Sequence, residues 1–216
     1  MFEIFSYQFM INAFIVGILI SISASLLSPF LVLKGQSMIA DGLAHTSFLG
    51  FVIGILLINQ PIWLAIIITV IASLLIRLLI EKTNISPDSA VAVISAATFS
   101  IGLILISLFD GFNISIEAVM VGSILTSELT EILISLVLMI LIGSFVLFFY
   151  RSLYKITYDD EFVKISKTKY KTLNYILYML TAVLIVIGVK SVGALLVSSL
   201  IIFPSLISTQ YKLSFN

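Results

Sequence analysis

The sequence predicts an all-α protein, a polytopic transmembrane helical bundle of about seven membrane spans plus a short re-entrant or external helix. Hydrophobic residues make up 61% of the 216 residues and charged residues only 10%, whereas soluble domains carry about 25% charged residues. The apolar residues form continuous runs rich in leucine and isoleucine, and a β-barrel would instead show alternating segments of about 10 residues. We therefore expect a single transmembrane domain over residues 1–216, surrounded by membrane lipid.

The apolar runs define the predicted spans, because a helix of about 20 residues crosses the hydrocarbon core. They cover residues 9–33, 38–58, 61–80, 89–109, 132–150, 173–189 and 192–211. Pro29 and Pro204 fall inside the first and the last of them. Proline removes a backbone donor and crowds the preceding turn, so both helices are predicted to break or kink there.

Basic residues orient the bundle, because short cytoplasmic loops retain lysine and arginine. With the N-terminus outside, Lys190 alone among them lies on the outer side. The inner side holds the others, which are Lys34, Arg77, Lys82, Arg151, Lys155, Lys164, Lys167, Lys169, Lys171 and Lys212. Acidic residues are also predicted on the outer side, where they either form a rim that raises the local concentration of cations or are ordinary solvated loop charges. These residues are Glu3, Asp110, Glu117, Glu128 and Glu131.

Several classes of chemistry are excluded by what the sequence lacks. It contains no cysteine, which excludes disulfides, thiolate metal sites and cysteine nucleophiles. It also lacks the P-loop, HExxH and GxSxG motifs, so it has no visible means of hydrolysing ATP or a peptide bond. Its basic residues follow the membrane topology rather than a nucleic-acid-binding motif. We therefore predict a protein that is not itself an enzyme and that binds no nucleic acid.

An acid and a histidine stand out in the range 34–54, KGQSMIADGLAHTSFLGFVIG. Asp41 and the only histidine, His45, are four residues apart, which brings both to one face of a helix, with Ser37 one turn earlier. Ionisable groups at membrane depth cost about 2.5–3.5 kcal/mol, so they are candidates for an ion pathway. In the structural alternative, Asp41 caps the helix and His45 donates a hydrogen bond to a neighbouring carbonyl.

Residues 110–131, DGFNISIEAVMVGSILTSELTE, lie between the fourth and fifth spans. The apolar core of this segment, 114–125, is too short to cross a bilayer, so it is predicted to be a re-entrant or interfacial helix. Glu117 and Gly122 are candidates for lining an external mouth. The alternative is an external helix that only plugs the bundle.

The longest polar segment is 151–172, RSLYKITYDDEFVKISKTKYKT, on the inner side. Its middle carries an acidic cluster and two apolar residues, Asp159, Asp160, Glu161, Phe162 and Val163. Thr157 followed by Asp160 fits the start of a helix. A short amphipathic helix that presents Phe162 to a groove in another protein is one interpretation. An ordinary positive-inside loop is the other.

Four stretches occur in order along the chain: SMIADGLAHTSFLGFVIG (37–54), ISPDSAVAVISAATFSIGLILIS (85–107), VMVGSIL (119–125) and VGALLVSSLIIFPSLIS (192–208). Each resembles one feature of a single family, in the same order. These features are a signature with an acid and a histidine, a fourth span that begins with an acidic residue, a short element with a glycine, and a helix that contains proline. This family is the membrane-spanning permease subunit of metal-type ABC importers, which take up zinc, manganese or iron. The resemblance covers nearly the whole chain.

The resemblance implies a permease that passes Mn²⁺, Zn²⁺ or Fe²⁺ inward across a bacterial cytoplasmic membrane and holds no permanent cofactor. Its implied partners are a second copy of itself, a cytoplasmic ATP-binding subunit and an extracytoplasmic metal-binding protein. Asp41 and His45 match the family's intramembrane acid and histidine. Residues 158–168 fall at its coupling helix, so 152–172 is the expected cytoplasmic coupling loop and 159–163 its expected contact with the ATPase.

The chain departs from the family pattern in three ways. Family members usually continue for one or more further helices, so this chain, which stops at Asn216, is expected to lack them. Glu161 and Ile165 stand where the coupling segment usually has a small residue and a glycine. No histidine matches the one often found in the fourth span of zinc-type members, near Ala96 and Ala97, which favours manganese or iron.

Two other functions stay open at this point. A secondary transporter or channel working alone would use Asp41 and His45 as a proton or ion relay and draw its energy from an ion gradient. A membrane scaffold that transports nothing would use neither residue for an ion.

Overall fold

Helices account for all the regular secondary structure in the residues that the computed structural model describes, which are 8–58, 61–83, 85–109, 122, 129–158 and 169–210. In chain order they are α1 Gln8–Val32, α2 Ile39–Ile58, α3 Pro61–Lys82, α4 Pro87–Leu108, α5 Leu129–Tyr158, α6 Lys169–Ser191 and α7 Ala194–Gln210. The first six are long and apolar enough to cross a membrane, and α7 is a shorter apolar helix of 17 residues. The predicted all-α transmembrane bundle is confirmed.

Neither helix breaks at its proline: Pro29 lies inside α1 and Pro204 inside α7, and both helices continue beyond them. Both prolines are partly buried, and the neighbouring Ser28 and Ser205 are buried. Surrounding helices allow a transmembrane helix to tolerate proline, because they compensate for the lost backbone bond.

Two helices extend further into the inner polar segment than predicted. α5 has 30 residues and α6 begins at Lys169, so 152–158 and 169–172 are helical. The predicted helix start at Thr157 is wrong, because α5 runs through it and its hydroxyl donates to the Leu153 carbonyl at 2.8 Å. The rest of the expected coupling loop, 159–168, lies outside the described residues.

α2 packs against both α3 and α4, and glycines allow the close approach to α3. A Cβ atom on Gly50 would lie 2.4 Å from the Ala65 Cα atom, and one on Gly54 would lie 2.6 Å from the Pro61 Cα atom. Small residues of this kind let membrane helices approach backbone to backbone. The span in α2 is 72% buried, whereas that in α4 is only 11% buried, so α4 leaves most of its surface uncovered by the described chain.

Substituting Gly50 by alanine is expected to destabilise the bundle by about 1–3 kcal/mol, because the new methyl group would overlap the α3 backbone. Thermal unfolding in detergent checks this. Gly17→Ala is the matched control, since no described atom lies within 4 Å of the position of its added Cβ. Equal melting temperatures for the two variants would contradict the close α2–α3 contact.

Charged side chains pair at the two ends of the bundle. Where α3 ends and α6 begins, Lys171 Nζ lies 2.5 Å from Glu81 Oε1, and the Tyr175 hydroxyl donates to Glu81 Oε2 at 2.9 Å. Where α6 ends and α5 begins, Lys190 Nζ lies 2.5 Å from Glu131 Oε1. Lys171, predicted for the inner side, thus lies at one end, and Lys190 and Glu131, predicted outside, meet at the other.

Candidate functional site at the start of helix α2

Asp41 and His45 share one face of α2, as predicted from their spacing. Asp41 lies in the first turn and His45 one turn later. The distance from Asp41 Oδ2 to His45 Nε2 is 3.6 Å, and the side chains are 42% and 32% exposed, respectively. The pair is therefore accessible, although it lies in a span that is otherwise largely buried.

A cavity of about 280 Å³ opens between α2 and α4 beside this pair. Its lining consists of Met38, Asp41, Gly42, His45, Val91, Ala92, Ser95, Ala96 and Phe99. α4 comes close to α2 here because position 42 is glycine, where a Cβ atom would lie 2.2 Å from Val91 Cγ1. The start of α4 is fixed by its N-cap, Ser86, whose hydroxyl accepts a hydrogen bond from the Ser89 amide at 3.2 Å.

The imidazole of His45 is held by ring contact rather than by a hydrogen bond. Its ring meets the Phe99 ring edge-on, with centroids 5.0 Å apart. Nδ1 is buried and has no hydrogen-bond partner in the described part of the chain. Nε2 is too far from Asp41 for a hydrogen bond, which needs about 3.2 Å or less. The predicted alternative of a bond from His45 to a carbonyl is thus not found among the described residues.

Two further cavity residues carry potential ligand atoms that sequence reasoning missed. Met38 lies in the turn directly before α2, three residues before Asp41, and Ser95 faces the cavity from α4. The closeness of Met38 to Asp41 in sequence was a usable signal, whereas the position of Ser95 depends on which helix packs opposite. Ser37, predicted for this face, lies in the turn before α2 and does not line the cavity.

The pair is not a complete metal site by itself. Among the described residues, no group of three or more His, Cys, Asp or Glu side chains could hold a metal ion. Tight zinc sites in proteins use three or four ligands. Asp41 and His45 can therefore bind a divalent cation only weakly unless other groups join them.

The other predicted functional residues lie outside the described ranges, namely Glu117, Asp159, Asp160, Glu161, Phe162 and Val163. Gly122, from the predicted external element, is described. It adopts φ +70°, and a Cβ atom there would lie 2.6 Å from the Gly193 backbone nitrogen. This glycine therefore lies against the turn between α6 and α7.

Similarity to known proteins extends over nearly the whole chain. The chain is 25% identical over 205 residues to the high-affinity zinc uptake system membrane protein ZnuB of Haemophilus influenzae, covering 95% of this chain and 78% of ZnuB. It is also 25% identical over 213 residues to the manganese transport system membrane protein MntC of Halalkalibacterium halodurans, covering 98% and 72%. The fold is similar to that of PsaBC from Streptococcus pneumoniae in complex with Fab, with a TM-score of 0.77, 23% identity, and coverage of 97% of this chain and 75% of the other. The model of the ABC 3 transport family matches residues 6–216. The chain therefore belongs to that family.

Proposed function

We propose that this chain is the permease subunit of an ATP-driven importer of a divalent transition-metal cation, and that Asp41 and His45 bind the cation in transit. The observation that carries the proposal is the carboxylate–imidazole pair, which lies on a transmembrane helix and lines a cavity between α2 and α4. Membership of a transport family and relatives named for zinc and manganese uptake support it.

The chemistry of the pair suits a transported ion better than a stored one. Carboxylate oxygen and imidazole nitrogen are ligands for Mn²⁺, Fe²⁺ and Zn²⁺ alike. A pathway needs binding that is strong enough to admit the ion and weak enough to release it. Two ligands in an open cavity meet that condition. Ala96 lines the opposite wall and brings no further ligand, which favours manganese or iron over zinc.

A second copy of the chain would complete the ligand set. α4 forms one wall of the cavity, and most of its surface is uncovered. A copy related by a two-fold axis would present the same surface, and twofold assemblies are the commonest form of oligomer. The ion would then pass near the interface between two copies, each supplying Asp41 and His45.

ATP hydrolysis would belong to a cytoplasmic partner, and an extracytoplasmic metal-binding protein would deliver the ion. Residues 159–163 are the proposed contact with the ATPase. Phe162→Ala is expected to reduce co-purification of the ATPase by at least about tenfold, because aromatic anchors dominate binding at interfaces. Phe148→Ala is the control, since Phe148 is 84% exposed on the long transmembrane helix α5. Equal recovery with both variants would count against the assignment.

Uptake into proteoliposomes separates the importer from a transporter that works alone. With the ATPase and the metal-binding protein present, we expect metal uptake that requires ATP and is unaffected by collapsing the pH gradient. With the permease alone, a pH gradient should drive no uptake. Uptake driven by the pH gradient without the ATPase would contradict the importer and favour a proton-coupled relay through Asp41 and His45.

A further inference from the structure

The start of α6 presents one polar face to the rest of the bundle. Lys171, Asn174, Tyr175 and Tyr178 occupy positions i, i+3, i+4 and i+7, which places them on the same side of the helix. Lys171 and Tyr175 both contact Glu81. This face therefore ties the start of α6 to the end of α3.

Asn174 ties the same face to the turn before α2. Its side chain is fully buried, and its Oδ1 atom accepts a hydrogen bond from Lys34 Nζ at 2.9 Å. Its Nδ2 atom has no hydrogen-bond partner within the described ranges. A buried amide donor without a partner costs free energy that an apolar side chain of similar size would not. The contact with Lys34 is therefore the feature that explains an asparagine here.

The turn that carries Lys34 is tight and leads directly into the candidate site. Gly35 adopts φ +70°, a conformation that favours glycine, and its amide donates to the Val32 carbonyl at 3.0 Å. α2 follows at once and carries Asp41 in its first turn. A displacement of Lys34 therefore displaces Asp41, because only a short, hydrogen-bonded stretch separates them.

Further along α2 from the Lys34–Asn174 contact, α2 and α3 pack closely against each other. Their backbones touch at Gly50 and Ala65 and again at Gly54 and Pro61. One face of α6 contacts both helices: Lys171 and Tyr175 contact Glu81 at the end of α3, and Asn174 contacts the turn before α2. Backbone contact at two places along the helices is expected to make α2 and α3 move together, as in rigid-body transitions.

We propose that Asn174 is a positioning residue for the metal pathway. Through its hydrogen bond with Lys34, it transmits a displacement of the start of α6 to the start of α2, and so controls the orientation of Asp41 toward the ion. The proposal deepens and rests on the proposed function, in which residues 159–163, just before α6 in the chain, contact the ATPase. Displacement of α6 by the ATPase would then reach Asp41 without Asn174 touching the ion.

The test compares Asn174→Leu, Asn174→Asp and wild type in proteoliposomes that contain the permease with its ATPase and are supplied with the metal-binding protein. Asn174→Leu should lower the metal transported per ATP hydrolysed by about tenfold, since small misplacements of a site have effects of this size or larger. Its ATPase rate and Tm should stay near the wild-type values. Asn174→Asp keeps an oxygen acceptor for Lys34 and should therefore transport as much metal per ATP hydrolysed as the wild type.

Thr181→Val is the matched control, because Thr181 is also buried in α6 but its hydroxyl bonds only within the helix, to the Leu177 carbonyl at 2.8 Å. Its ratio of metal transported to ATP hydrolysed should match wild type. Should Asn174→Leu fail to fold, Lys34→Met removes the same bond from a partly exposed turn and should also lower the ratio. An unchanged ratio in the variants that lose the bond, or an equal loss in Thr181→Val, would overturn the role of Asn174. A wild-type complex without ATP-dependent uptake would instead contradict the proposed function.

Discussion

Replacing Asp41 by asparagine or His45 by alanine is expected to reduce metal uptake by at least about a hundredfold, because loss of even an outer partner of a metal ligand costs about 10–100-fold in affinity. The Asp41→Asn variant would keep the shape of the side chain and lose the charge that attracts the cation. The double variant should be little worse than either single variant, since the two side chains act on one ion. Uptake of radioactive metal by proteoliposomes measures all three.

Thr46→Val is the control for these variants. Thr46 is buried next to His45, its hydroxyl donates to the Gly42 carbonyl at 2.9 Å, and it does not line the cavity. Its uptake should remain near the wild-type rate. If the Asp41 and His45 variants also transported at the wild-type rate, neither residue would belong to the ion pathway, and the scaffold hypothesis would gain support.

Substituting Ala96 by histidine is expected to turn the weak metal site formed by Asp41 and His45 into one that binds Zn²⁺ tightly and releases it slowly. Ala96 lines the same cavity as Asp41 and His45, from the α4 side. Three protein ligands including imidazole form the typical catalytic zinc site, so Zn²⁺ should bind about a hundredfold more tightly, by comparison with the loss expected on removing one ligand partner. Mn²⁺ should gain less, because imidazole ligands favour Zn²⁺ over Mn²⁺. Slow release should then lower Zn²⁺ uptake at saturating concentrations.

Ala97→His gives the matched control for this substitution. Ala97 is the next residue of α4 and lies outside the cavity lining. Binding titrations with Zn²⁺ and Mn²⁺ on the purified variants compare the two positions. A similar gain in Zn²⁺ affinity in both variants, or no gain with Ala96→His, would show that α4 does not face the metal as the cavity geometry requires.

The candidate pair was predictable from sequence because it depends on local rules. Helical spacing brings Asp41 and His45 together, and the cost of burying charge in a membrane marks them as unusual. The length of α5 was also recoverable: Leu153, Ile156 and Thr157 are buried at helical spacing. The prediction from continuous apolar runs ended this span at residue 150, because lysine, arginine and tyrosine interrupt the run beyond that point.

Contacts between distant segments were not predictable from one sequence. The bond between Lys34 and Asn174 joins residues 140 positions apart, and no local pattern pairs them. The same holds for the wall of the cavity opposite the pair. Ser95 and Ala96 became part of the site only because glycine at position 42 lets α4 pack closely on α2.

Electron spin-echo spectroscopy of Mn²⁺ bound to the purified, untagged permease tests the central claim most directly. The chain contains one histidine, so any imidazole nitrogen coupled to the ion must belong to His45. The account predicts a nitrogen coupling in the wild type that disappears in His45→Ala and weaker Mn²⁺ binding in Asp41→Asn. Bound Mn²⁺ without nitrogen coupling, or coupling that persists in His45→Ala, would contradict it.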